Sequence, residues 1–140
     1  MADWTNILHG VSAAFAGGAA ASGWTVAVIV ANVAFDGLDY NRADRQLRRV
    51  LLVSSNFQAT LLGVAAVIGL VSGAIAAFVV SLITALGFLS NVWTLAPRKK
   101  GPRVTGVREN RKGKRIVAVA LTITLSLLAA MASVLAAVGI

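Results

Sequence analysis

The chain has 140 residues, of which 58% are hydrophobic and only 13% are charged, and its formal net charge is +8. A soluble domain carries roughly a quarter charged residues, because water must solvate its surface. The composition therefore excludes an ordinary soluble domain and predicts an integral membrane protein. The chain contains no cysteine, which excludes a disulfide framework and a thiolate metal site.

Charged residues divide the chain into three apolar blocks. Residues 11–35 and 116–140 form two blocks without an ionisable side chain, and residues 50–96 form a longer one. One crossing of about 30 Å of hydrocarbon takes about 20 helical residues at about 1.5 Å each. The first and last blocks each match one crossing. The middle block would measure about 70 Å as a single helix, so we expect it to fold back.

The sequence favours a fold-back within residues 69–73, where two glycines lie near the middle of the block. A re-entrant loop is the alternative, although both halves are long enough to cross. We therefore predict an all-α, four-transmembrane-helix bundle in a single membrane domain. Its predicted spans are approximately 11–35, 50–70, 73–96 and 116–138.

All 13 lysines and arginines lie in two segments between predicted spans, residues 36–49 and 97–115. With four spans these segments fall on one side of the membrane, and the positive-inside rule makes that side cytoplasmic. Three spans would instead place the two basic segments on opposite sides of the membrane. We therefore expect both termini on the non-cytoplasmic side, in a prokaryotic inner membrane.

The basic residues are candidates for contact with anionic lipid head groups or an acidic partner. The simpler interpretation is that they only fix the orientation of the chain. Nucleic acid is not expected as a partner, because the second segment has no aromatic residue that could stack on bases. The candidates are Arg42, Arg45, Arg48, Arg49, Arg98, Lys99, Lys100, Arg103, Arg108, Arg111, Lys112, Lys114 and Arg115.

Polar residues within the predicted spans form a layer about 6–15 Å below the basic side. Amides are costly in hydrocarbon unless they are satisfied, so those of the layer should face other helices, another subunit or a cavity. Interhelical hydrogen bonding and an inward-open pocket or pore vestibule are the two interpretations. The layer comprises Asn32, Ser54, Ser55, Asn56, Gln58, Thr60, Ser90, Asn91, Thr122, Thr124 and Ser126.

Small residues follow the first predicted span at four-residue spacing, a pattern typical of close helix packing. They are Ala13, Gly17 and Ala21, with Gly18 and Ser22 beside them. The single histidine, His9, lies near the outer end of that span. Ligation of a haem or chlorophyll is conceivable there, but an interfacial histidine without a ligand is the simpler interpretation, and we predict no cofactor.

No predicted span carries a carboxylate between its charged ends, which disfavours proton-coupled transport. The sequence also lacks a nucleophile with a base and a set of metal ligands, so we do not expect an enzyme. We expect a non-catalytic subunit or assembly factor of a larger membrane complex. The second class is an oligomeric channel, an uncoupled transporter or a phage-type holin. The third is an enzyme or cofactor carrier that recruits a ligand rather than encoding one.

Overall fold

The computed structural model describes residues 2–37, 39–96 and 107–140, and every regular element in them is a helix. These are α1 (Ala2–Trp24), a π-helical segment (Thr25–Val30), α2 (Ala31–Gly37), α3 (Tyr40–Ser72), α4 (Ile75–Leu95) and α5 (Val107–Val138). Four stretches are long and apolar enough to cross a membrane: Asp3–Val33, Arg42–Ser72, Ile75–Leu95 and Ile116–Val138. The prediction of an all-α chain with four such helices is confirmed.

The four long helices form an up-and-down bundle. The first span packs on α3 and α5, and α4 packs on the same two helices from the other side. Near one end of α1, the His9 ring meets the Ser72 carbonyl at the end of α3. Further along α1, the Ser22 hydroxyl meets the Gln58 amide. The first span and α3 are therefore antiparallel, as short connections between neighbouring helices require.

The connections define two ends of the bundle. One, which we call the turn end, contains His9, Gly73 and Gly139, and there the Ala77 N–H donates to the Ile140 carbonyl at 3.0 Å. The other, which we call the basic end, contains the start of α3, the end of α4 and the start of α5. The described residues of both basic segments thus lie at the same end of the bundle.

The turn between α3 and α4 lies at Gly73 and Ala74, at the edge of the predicted fold-back region. Gly73 has a φ of 82°, which a residue with a Cβ adopts only at a cost. The Ala74 N–H donates to the Gly69 carbonyl at 2.9 Å, and the Gly73 N–H donates to that of Leu70 at 3.3 Å. These two bonds form a Schellman motif, which satisfies carbonyls that the helix end leaves free.

Helix α3 begins at Tyr40, within the basic segment before the second predicted span, and α5 begins at Val107, ahead of the fourth predicted span near residue 116. The first turn of α3 is closed by bonds from the N–H groups of Arg42 and Ala43 to the Asp39 carbonyl, at 2.8 and 2.9 Å. Water can solvate charged side chains on an exposed helical turn, so a run of charged residues does not by itself end a helix. Residues 97–106 of the second predicted loop lie outside the described residues.

The buried positions recur with alternating spacings of three and four residues. On α4 they include Ala77, Ser81, Thr84, Phe88, Asn91 and Leu95. On α5 they include Ala118, Thr122, Leu125, Ala129, Ala132 and Ala136. This is the repeat of left-handed helix bundles, in which a side chain of one helix fits between those of its neighbour.

Small side chains fill the interior and large apolar ones cover the outside. Most of the buried hydrophobic residues are alanines, and Phe88 is the largest side chain that is fully buried. Trp93, Val71 and Ile75 are exposed by 85%, 71% and 67%. Such an exterior suits lipid. Small interior residues let helix backbones approach closely where no hydrophobic effect drives them together.

Candidate functional site

The predicted polar layer divides into an inward and an outward set. Buried side chains, with Ser54 partly buried, form the inward set: Ser54, Ser55, Gln58, Asn91, Thr122 and Ser126. Exposed side chains form the outward set: Asn32, Asn56, Thr60, Ser90 and Thr124. The two sets have different partners, so the sequence layer is not one site.

Asn91 joins three helices at the centre of the inward set. Its Nδ2 donates to the Ser55 Oγ on α3 at 3.3 Å and to the Thr122 Oγ1 on α5 at 3.0 Å. Its Oδ1 lies 3.5 Å from the Thr94 Oγ1, which donates to the Asn91 carbonyl at 2.8 Å. The Nδ2 of this buried amide therefore has partners on two other helices, and its Oδ1 has only the longer contact with Thr94.

The hydroxyls on α5 also have partners on their own helix. The Thr122 Oγ1 donates to the Ala118 carbonyl at 2.8 Å, and the Ser126 Oγ donates to the Thr122 carbonyl at 2.7 Å. Serine and threonine commonly donate in this way to a carbonyl one turn earlier. The Thr122 hydroxyl thus donates within α5 while it accepts from Asn91, and this relay fixes the orientation of both groups.

Gln58 is the second buried amide, and its side chain is fully buried. The Nε2 donates to the Ser54 Oγ at 2.9 Å and lies 3.5 Å from the Ser22 Oγ on α1. Among the described residues the Oε1 has no hydrogen-bond partner. Swapping the nitrogen and oxygen of the amide would leave the other atom unpaired instead.

Gly23 allows α1 to approach this region. A Cβ at Gly23 would overlap the Ser126 Oγ and would lie 3.1 Å from the Gln58 Nε2. The π-helical segment begins two residues later at Thr25, whose Oγ1 donates to the Ala21 carbonyl at 2.8 Å. Five of the six residues in the segment are β-branched, a composition that crowds an α-helix. The first span thus leaves regular α-helix directly beside the polar layer.

The small residues of the first span contact different neighbours. A Cβ at Gly17 would lie 3.2 Å from the Ser133 Oγ on α5, and one at Gly18 would lie 3.9 Å from Leu61 on α3. Ala13 is partly buried and packs against α5, and its carbonyl accepts a hydrogen bond from the Ser133 Oγ at 2.8 Å. Ser22 meets Gln58, and Ala21 is exposed. The five predicted residues therefore do not form one face.

The most buried row of the first span is Ser12, Ala16, Ala19 and Gly23. Its spacing alternates between four and three residues, whereas the predicted row kept a spacing of four. A strict four-residue row drifts around the helix, because 3.6 residues make one turn. The alternating spacing of small residues was the signal in the sequence that would have identified this face.

Three further buried hydroxyls lie closer to the turn end, outside the predicted layer. The Ser12 Oγ donates to the Ala65 carbonyl at 2.9 Å, and the Thr84 Oγ1 donates to that of Val80 at 2.6 Å. The Ser81 Oγ has no partner among the described residues. Ser81 and Thr84 share the buried face of α4 with Asn91, so the alternating spacing would have found them too.

At the basic end, the four arginines on α3 are exposed. Arg48 also has a structural role, because its Nε donates to the Leu95 carbonyl at 2.8 Å and its Nη2 donates to that of Ala96 at 3.4 Å. A cation at a helix C-terminus satisfies free carbonyls and complements the helix dipole. Arg48 therefore ties the start of α3 to the end of α4.

The other basic residues belong to the second segment. Five of them lie on the first turns of α5: Arg108, Arg111, Lys112, Lys114 and Arg115. The remaining four lie outside the described residues: Arg98, Lys99, Lys100 and Arg103.

His9 lies at the turn end, where helices α3 and α5 finish. Its Nε2 is 3.3 Å from the Ser72 carbonyl, and a Cβ at Gly139 would lie 2.8 Å from its Cε1. The ring thus packs between two helix ends and fits an interfacial contact. In the described part of the chain, no three His, Asp or Glu side chains come together as a metal site would need.

Replacing Asn91 with leucine should destabilise the bundle by about 1–2 kcal/mol. Two interhelical hydrogen bonds of about 0.6 kcal/mol each are lost, together with the close packing around the amide. Unfolding of the purified protein in mixed micelles measures this change. Ser90→Ala is the matched control, since Ser90 is exposed on the same helix and donates only to the Gly87 carbonyl. Equal effects of the two substitutions would contradict a special role for Asn91.

Replacing Arg48 with leucine should speed amide exchange at the end of α4 by about twofold to fivefold, because a helix-end charge contributes about 0.3–1 kcal/mol. Hydrogen–deuterium exchange at Leu95 and Ala96 gives the readout. Arg49→Leu removes the same charge from an exposed neighbour and should leave this exchange unchanged. If both variants behave alike, net charge rather than the cap determines the effect.

Comparison of the chain with protein families, with curated proteins and with solved structures finds no match. Its function is therefore inferred from the contacts of its own residues.

Proposed function

We propose that the chain is a non-catalytic subunit, or an assembly and stabilising factor, of a larger membrane protein complex. The observation that carries the proposal is the arrangement of the polar layer. Its inward amides and hydroxyls bond mainly to one another and to their own helices. Groups used in this way hold a bundle together, so contacts with other molecules belong to the outward faces and the basic end.

The distribution of ionisable groups supports the same proposal. Residues 50–96 contain no ionisable side chain, and the described ionisable residues lie towards the two ends of the bundle. Proton-coupled transport normally uses a carboxylate within the membrane. General acid–base catalysis needs a titratable group within reach of the substrate. A packing role needs neither.

We further propose that the basic end faces the cytoplasm of a prokaryotic cell and contacts anionic lipid head groups. The four exposed arginines on α3 support this, because each basic residue near an anionic leaflet contributes about 1 kcal/mol. Both termini are then on the non-cytoplasmic side, with the turn end. Arg42 and Arg49 are better candidates for lipid contact than Arg48, whose guanidinium caps α4.

An oligomeric channel, an uncoupled transporter or a phage-type holin is the second candidate. The observation that favours it is the outward position of Asn56 and Thr60 on α3, which could face an aqueous space between copies. Ser90 and Thr124 lie on the outward faces of other helices and donate to carbonyls of their own helix. A pore between copies would therefore use only part of the outward set.

Purification from native membranes in mild detergent tests the proposal. A tag at the start of α1 suits it, because residues 3–7 are exposed. The expected result is recovery of other membrane subunits at fixed stoichiometry, and a loss of the intact complex when the chain is deleted. A homo-oligomer without other subunits that conducts ions in liposomes would contradict the proposal and favour the channel.

A further inference from the structure

The outward face of α3 carries an amide without a partner. Asn56 is exposed, and the described residues provide no hydrogen bond to its side chain. It follows Ser55, whose hydroxyl bonds to Asn91 in the middle of the inward set. Asn56 also lies eight residues, about 12 Å, beyond Arg48 along α3. Since Arg48 caps the end of α4, this amide lies within the hydrocarbon of the proposed membrane.

Unlike the Asn56 amide, the outward hydroxyls at similar depth each have a hydrogen-bond partner on their own helix. Thr60 donates to the Asn56 carbonyl at 3.0 Å, Ser90 to that of Gly87 at 3.0 Å, and Thr124 to that of Ala120 at 3.0 Å. A hydroxyl can satisfy its donor on its own helix in this way. The side chain of asparagine carries two N–H donors and an oxygen acceptor. Leaving these groups unpaired in hydrocarbon costs several kcal/mol.

Asn32 is the other exposed asparagine of the polar layer, but its position is different. It lies one residue before Val33, where the first membrane-spanning stretch ends. Water and lipid head groups can satisfy an amide at that level. Asn56 is therefore the outward asparagine that requires a protein partner, and Asn32 provides a natural comparison.

The surface beside Asn56 allows another helix to come close. Gly63 lies about two turns further along the same side of α3, and a Cβ built there would meet nothing within 4 Å. Thr60 lies between them and is exposed, as are Val53 and Val67 by 61% and 62%. Small residues on a lipid-facing helix let backbones approach closely enough for hydrogen bonds between helices.

We propose that this face of α3 binds the same face of a second copy of the chain, with the two Asn56 amides bonded to each other. Two copies with the same membrane orientation are related by an axis along the membrane normal, so equivalent residues meet at the same depth. An amide both donates and accepts, so it satisfies an identical amide. Apart from Asn56 and the hydroxyl side chains, the polar side chains of the described spans are buried or lie near an end of the bundle.

The pairing does not depend on membership of a larger complex, because it requires only the chain itself. It can therefore be tested with purified protein in liposomes, independently of any other subunit. The absence of cysteine makes single-cysteine variants straightforward. Thr60→Cys and Val53→Cys leave Asn56 in place and report the distance between two α3 helices, because a disulfide requires Cα atoms about 4.4–6.8 Å apart.

Oxidation of Thr60→Cys or Val53→Cys protein should give a covalent dimer at twice the 14.4 kDa mass of the chain. Leu86→Cys, exposed by 58% on the outer face of α4, sets the level of random collision. Adding Asn56→Leu to Thr60→Cys should lower the association constant about tenfold, since the two interhelical hydrogen bonds are lost. Adding Asn32→Leu should not lower it. The helix content of the Asn56→Leu protein should be unchanged, because the described residues provide no hydrogen bond to the Asn56 side chain.

Three outcomes would overturn the proposal. Cross-linking at Thr60 and Val53 could fail to exceed that of Leu86→Cys. Cross-linking could persist at full level with Asn56→Leu. Alternatively, in native membranes the Thr60→Cys variant could cross-link to a different protein instead of to itself, which would assign this face to another subunit.

Discussion

The exclusion of charge from the hydrocarbon is the constraint on which the rest of the structure depends. Residues 50–96 offer no charged boundary, and the structure divides them into two helices that are each long and apolar enough to cross a membrane. Gly73 makes the return possible, because its positive φ ends α3 in a Schellman motif that leaves few carbonyls unpaired. The same return brings the end of α4 to the end of the bundle where α3 begins, and α5 begins there too. The common end of the starts of α3 and α5 is therefore a consequence of a single turn.

Inside the bundle, hydrogen bonds provide the specificity that the hydrophobic effect cannot, since lipid is as apolar as the core. Alanine and glycine bring the backbones close, and Asn91 then connects α3, α4 and α5 through Ser55 and Thr122. Asn56 lies one residue from Ser55 in the sequence, yet it points out of the bundle. One amide therefore connects helices within the bundle, and the other is the amide that we propose pairs with a second copy of the chain.

The sequence predicted an all-helical chain with four helices long and apolar enough to cross a membrane, because length and hydropathy are local properties. It did not separate inward from outward polar residues, since the rotation of each helix depends on its neighbours. Asn56 and Gln58 were placed in one layer for this reason. The contact of Gly23 with Ser126 and Gln58 joins residues distant in sequence, and no pattern in the sequence identified it. The sequence does not predict the early start of α5, because a run of basic residues is compatible with a loop as well as with a solvated helix.

Accessibility of single cysteines in sealed, oriented vesicles tests the central claim most directly. Ser72 lies at the turn end, and Arg108 lies on the first turn of α5 at the basic end. A membrane-impermeant thiol reagent added outside right-side-out vesicles should label Ser72→Cys at once, and should label Arg108→Cys only after the membrane is permeabilised. Labelling of both positions from the same side would contradict the return at Gly73 and the one-sided arrangement of charge.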